Sequence, residues 1–131
     1  MIGDKYIEQI QSEFNVLEVT RQTENQITIL VDRNDLPAVV DKLYHGMGGW
    51  IVTMVPNDER SINKHFALYY VLSMEGAKFR PEDELDEKCF ITVRTLIPAD
   101  DPVFPSVTPL VKAAVWYERV AFDLFGLRAE G

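Results

Sequence analysis

Phe66-Ala67-Leu68-Tyr69-Tyr70-Val71-Leu72-Ser73 reads as a strand with two apolar rows. Phe66, Leu68, Tyr70 and Leu72 point one way; Ala67, Tyr69 and Val71 point the other. A strand apolar on both rows belongs inside a sheet, which places it centrally. Lys88 to Ile97 is the expected antiparallel neighbour. Upstream, Val16 to Arg21 and Gln26 to Val31 form a hairpin around the turn residues Glu24-Asn25, and Trp50 to Val55 is a further strand. Helical spacing appears three times. Tyr6, Ile7, Ile10 and Phe14 share a stripe over about Asp4 to Phe14. Leu36, Val39, Val40 and Leu43 share another, capped by Asn34 or Asp35, with Pro37 in the first turn and Gly46 as the stop. The last helix runs from Val107 to Phe125, with Ser106 as N-cap. Gly48-Gly49 bends the chain into the Trp50 strand. Asn57 to Asn63 is a polar loop, and Pro98, Pro102 and Pro105 make a stiff connector with no regular pairing. The length fits one domain over residues 1–131.

Composition removes several functions. The net charge is -8, and no segment clusters Lys and Arg, whereas nucleic-acid binders draw affinity from basic phosphate contacts. The same deficit argues against an anionic membrane surface. No apolar run approaches the roughly 20 residues of a membrane span, and no signal-peptide h-region follows Met1. Direct membrane insertion is not expected, and the expected location is cytoplasmic. Cys89 is the single cysteine, so no intrachain disulfide forms; it reads as a small buried hydrophobe. One cysteine cannot supply the four thiolates of an iron–sulfur cluster. His45 and His65 lie on separate segments, outside any zinc-ligand spacing. Met47-Gly48-Gly49 follows a helix, not the strand that precedes a dinucleotide fingerprint. Glu82-Asp83-Glu84-Leu85-Asp86-Glu87 reads as a solvated loop; as a divalent-metal site it lacks the interspersed glycine and carbonyl ligands of a calcium loop. No catalytic residue, cofactor or metal ligand is assigned.

The last helix carries the informative residues. On a helical wheel Val107, Leu110, Val111, Ala114, Val115, Ala121, Phe122 and Phe125 share a stripe, and Glu118 falls in its middle. A buried carboxylate must be paired or hydrogen-bonded, and Arg94 on the preceding strand is the expected partner. A helix kink would instead release Glu118 to solvent. Trp116 falls opposite, with Lys112, Arg119 and Asp123. Arg119 and Asp123 are spaced to pair. An exposed Trp beside an Arg has the composition of a protein–protein hot spot; packing under the proline connector is the other reading of Trp116.

At these residues the sequence resembles a known family. Pro105-Ser106-Val107-Thr108-Pro109, Ala113-Ala114-Val115-Trp116-Tyr117-Glu118-Arg119 and Asp123-Leu124-Phe125-Gly126 resemble the signature of the complex I 30 kDa subunit family. The Phe66 to Ser73 strand and Thr95-Leu96-Ile97-Pro98-Ala99-Asp100-Asp101-Pro102 fit as well. That family includes the N-terminal domain of membrane-bound nickel–iron hydrogenase large subunits of the formate hydrogenlyase type. The Thr95 to Pro109 stretch is slightly closer to those hydrogenases. Two departures stand out: Val120 follows Glu118-Arg119 where the family has Glu, and the family's His-Pro and Arg-containing C-terminal tail is not in this sequence.

The resemblance implies an α+β domain, with a mixed, largely antiparallel sheet and flanking helices. It implies a non-catalytic scaffold in an NADH:quinone oxidoreductase or an energy-converting hydrogenase. The partner would be the large 49 kDa-like or nickel–iron subunit, with iron–sulfur subunits reached indirectly, peripheral on the inner face of the membrane. Glu118, Arg119, Asp123 and Arg94 are the motif and structural residues; Trp116, Arg119 and Asp123 are the candidate partner interface. The competing readings are a stand-alone enzyme and a small-molecule-binding domain, neither with a specific mark in the sequence.

Overall fold

The structure is a computed structural model and describes residues 1–75 and 88–131. The acidic run Glu82–Glu87 lies outside the described residues. The chain order is α1 (Asp4–Glu13), β1 (Val16–Thr23), β2 (Gln26–Val31), α2 (Leu36–Asp41), β3 (Trp50–Asp58), α3 (Arg60–Asn63), β4 (His65–Ser73), β5 (Phe90–Pro98), β6 (Val103–Pro105), α4 (Val115–Phe125) and β7 (Arg128–Glu130). The five-stranded sheet has the order β1-β2-β5-β4-β3. The β2–β5 pair is parallel; the other three pairs are antiparallel. The expected mixed, largely antiparallel sheet is present. β4 is interior, but the middle strand is β5.

Alternation puts Ile27, Ile29, Val31, Met54, Phe66, Leu68, Tyr70, Leu72, Ile91 and Val93 in one buried cluster, with Tyr6, Ile7 and Ile10 of α1 and Leu36, Val39 and Val40 of α2. Burying each such side chain is worth about 1.5–3 kcal/mol. The opposite row of β4 is less covered: Tyr69 and Val71 are only half-buried. They share an uncovered sheet face with Thr28 and Thr92. Register lines Leu30, Arg94, Tyr69 and Val55 across that face. It holds a shallow trough of about 680 Å³ lined by Gln22, Gln26, Thr28, Val55, Asn57, Tyr69, Val71, Phe90 and Thr92.

Several local expectations are corrected. Asp35 stands at the N-cap of α2, as expected, but makes no side-chain capping bond; the bond is made by Asp32, whose carboxylate accepts from the Asn34 N–H at 2.8 Å and opens a 3-10 turn at Arg33–Asp35 ahead of α2. β3 does not end at Val55: Asn57 and Asp58 still pair with Ala67 and Phe66. The "polar loop" that follows is a helical turn, and Asp58 fastens it by two bonds from the Arg60 side chain, at 2.8 and 2.7 Å. The proline connector is also paired, since Val103–Pro105 lies parallel to Arg128–Glu130. Phe104 and Leu127, both fully buried, hold that small sheet to the core.

The largest correction concerns the last helix. A single turn closes on Val107, with the N–H of Val111 reaching the Val107 carbonyl at 2.8 Å. Val111 then turns extended, a 3-10 turn covers Lys112–Ala114, and α4 begins only at Val115. The apolar stripe is therefore broken. Val107, Val111 and Ala114 are buried, while Leu110, Val115 and Phe122 are exposed.

Candidate functional site

The break before α4 follows from Glu118. Its Oε1 accepts from the N–H groups of Val107 at 2.6 Å and Thr108 at 3.0 Å. Its Oε2 accepts from the Ser106 hydroxyl at 2.8 Å. In an unbroken helix, Val107 and Glu118 would stand about 16 Å apart along the axis. The turn at Val107 must fold back onto the first turn of α4 for these bonds to form. Glu118 thereby supplies the N–H groups of that turn with the acceptor that Ser106 was expected to supply as N-cap. Ser106 donates to Glu118 instead. The carboxylate is 9% exposed, buried as the sequence requires, but its partners are backbone and hydroxyl donors and not Arg94.

Arg94 is engaged elsewhere. Its Nη2 meets Glu59 at 2.6 Å, and its Nε donates to the Tyr69 hydroxyl at 3.0 Å. Tyr69 in turn donates to Glu59, and Asn57 and Asn63 donate at 3.1 and 3.0 Å. Burial pushes the Glu59 carboxyl up, but the hydrogen bonds from Tyr69, Arg94, Asn57 and Asn63 outweigh it and bring it down to about 2. Burial together with the Glu59 carboxylate raises the Tyr69 hydroxyl. Sequence reading missed Glu59 because it lies in a polar run; the one available signal was Tyr69, a hydroxyl on an otherwise apolar strand row.

The outer face of α4 matches the sequence reading. Trp116 is 70% exposed, and Arg119 and Asp123 are exposed beside it. The structure brings these three together and leaves Glu118 and Arg94 apart. Arg119 and Asp123 do not pair with each other among the described residues. Arg N-terminal to Asp is the weaker orientation on a helix.

No group of three or more His, Cys, Asp or Glu residues with metal-site geometry occurs among the described residues. The His45 ring sits 2.7 Å from Asp41, and the His65 Nδ1 lies 2.6 Å from the Asn63 carbonyl. Cys89 is buried. No helix among the described residues is long and apolar enough to cross a membrane.

A family model described as "Respiratory-chain NADH dehydrogenase, 30 Kd subunit" matches residues 29–131. The chain belongs to this family. Within it, hydrogenase-4 component G of Escherichia coli (strain K12) is 46% identical over 127 residues, covering 95% of this chain and 21% of that protein. Formate hydrogenlyase subunit 5 of the same organism is 44% identical over 128 residues, 96% of this chain and 21% of that protein. An NADH-quinone oxidoreductase subunit of Coxiella burnetii (strain Dugway 5J108-111) is 34% identical over 106 residues, 70% of this chain and 42% of that protein. The chain thus spans about a fifth of the length of the first two relatives. Two solved structures share the fold. The trypsin-resistant fragment of Nqo5 gives a TM-score of 0.73 at 21% identity, covering 100% of this chain and 97% of that one. A chain of the membrane-bound sulfane sulfur reductase, an archaeal respiratory membrane complex, gives 0.77 at 22% identity, covering 98% and 71%. The 30 kDa-type α+β fold expected from the resemblance is the fold observed, and the chain is homologous to subunits of hydrogenase-4 and formate hydrogenlyase.

Proposed function

We propose that this chain is a cofactor-free scaffold domain of a membrane-associated redox complex, of the hydrogenase-4 and formate hydrogenlyase kind. The observation that carries this is the 46% and 44% identity to those two proteins across nearly the whole chain, against 34% over a shorter span to the NADH-quinone oxidoreductase relative. In this reading the domain braces a large, nickel–iron-bearing subunit and stands peripheral on the inner face of the membrane. Iron–sulfur subunits are reached through that partner.

The docking surface is the outer face of α4. The Trp116 indole offers a large apolar area, and Arg119 and Asp123 set orientation. Glu118 fixes the start of the helix against the Ser106–Thr108 turn, which lowers the ordering cost of association. The domain contributes placement, and the chemistry belongs to the partner's metal centres. The test is Trp116→Ala in the full complex. The domain should keep its fold, because the indole is exposed, while assembly with the large subunit weakens by about 2 kcal/mol or more. Normal co-purification of the large subunit with a folded Trp116→Ala protein would refute this docking face.

A further inference from the structure

Two buried hydroxyls, Tyr70 Oη and Thr108 Oγ1, have no hydrogen-bond partner among the described residues. Tyr70 is fully buried in the core, and a buried hydroxyl without a partner is rare enough to require a cause. Both stand by the same carboxylate. The Thr108 N–H bonds to Glu118 Oε1 at 3.0 Å, which keeps the Thr108 side chain close to it. Two contacts fix how α4 lies on the sheet and bring Tyr70 to the same place. At one end the rings of Phe125 and Phe66 stand 5.7 Å apart. At the other, the Tyr117 hydroxyl donates to the Val52 carbonyl at 3.4 Å, and Val52 bulges between the Ile51–Leu72 and Thr53–Val71 pairs. α4 therefore runs antiparallel to β4. Glu118 lies about 10 Å back along the helix from Phe125, and Tyr70 lies about 13 Å along the strand from Phe66 on the same inward row. Burial raises the Tyr70 hydroxyl, and the Glu118 charge raises it further, so Tyr70 keeps its proton as a donor.

We propose that one water molecule is bound between Glu118 Oε2, Tyr70 Oη and Thr108 Oγ1. The carboxylate has a place for it, because a carboxylate accepts about four hydrogen bonds. Oε1 takes the two backbone N–H groups and a longer share of the Ser106 hydroxyl, at 3.1 Å. Oε2 takes the Ser106 hydroxyl alone, at 2.8 Å. The water donates to Oε2, accepts from Tyr70 and bonds to Thr108 with a remaining proton or lone pair. Three partners are what a buried water typically holds. Neither hydroxyl bonds to the other or to Glu118, so they meet only through an atom that both donates and accepts. A cation suits the place less well: the carboxylate charge is already met by N–H and O–H donors, and the hydroxyl protons would stay unused. The water ties the inward row of β4 to the Ser106–Thr108 turn and the start of α4, whatever α4 docks against.

A crystal structure of this chain at a resolution that orders internal solvent tests the proposal, with crystals grown in rubidium chloride. The expected result is a water-sized density peak about 2.5–3.0 Å from Glu118 Oε2, Tyr70 Oη and Thr108 Oγ1, without a rubidium anomalous signal. Oxygen-17 relaxation dispersion of the solvent makes the same count in solution. The double variant Tyr70→Phe/Thr108→Val, shown folded by circular dichroism, should hold one long-lived water fewer than the parent. The proposal is overturned if no peak lies between the three groups, if an anomalous peak lies there, or if the parent and the folded double variant hold equal numbers of long-lived waters. None of these outcomes bears on Trp116, so their failure leaves the docking reading as it stands.

Discussion

A carboxylate with as little water around it as Glu59, 6% exposed, stays charged only if donors replace the solvent it has lost. Four side chains do so: Tyr69, Arg94, Asn57 and Asn63. They hold the carboxyl at about 2, against an ordinary 4.5. A carboxyl depressed in the folded state contributes stability that is complete above its unfolded value and is lost as pH falls through its folded one. The domain should therefore lose on the order of 3 kcal/mol from this group between about pH 5 and pH 2. Urea unfolding across that range should show the loss in the parent protein and a flatter profile in Glu59→Gln. Equal pH slopes in the two proteins would mean that the cluster adds nothing. Arg94 itself could be singled out from its position on an apolar strand. Its partner could not, because Glu59 lies 35 residues away in a polar run that sequence alone reads as loop.

At the scale of elements, strands were easier to read than helix boundaries. Alternation over β4 and β5, and turn residues between β1 and β2, reflect local chemistry that repeats every two residues. Asp58 pairing with Phe66, or Pro105 with Glu130, depends on segments brought together only by the finished fold. The last helix shows the same division. Its periodicity correctly turns Trp116 outward and Glu118 inward. The break after Val111 is invisible to periodicity, because its cause is a carboxylate bonding to N–H groups 10 and 11 residues upstream. Removing that acceptor by Glu118→Ala leaves two backbone N–H groups and the Ser106 hydroxyl without it and should cost about 2–3 kcal/mol. Glu118→Gln keeps one acceptor oxygen and should fall between parent and Ala. The shift in urea midpoint measures both; a midpoint unmoved by Glu118→Ala would show that the turn before α4 holds without it.

Taken as a whole, the molecule has helices on one face of a five-stranded sheet and leaves the other face to Thr28, Thr92, Tyr69 and Arg94. Its family, its expected layers and the outward tryptophan were all legible in the sequence. The position of that tryptophan on a helix pinned at its start by Glu118 was not. Two broad surfaces are thus available to a large partner, and the scaffold reading selects the outer face of α4. Site-specific photo-cross-linking in the assembled complex decides between them. A benzophenone side chain replacing Trp116 should join this chain to the large subunit, while the same group replacing Thr92 on the uncovered sheet face should not. A cross-link to the large subunit from position 92 and none from position 116 would contradict the account.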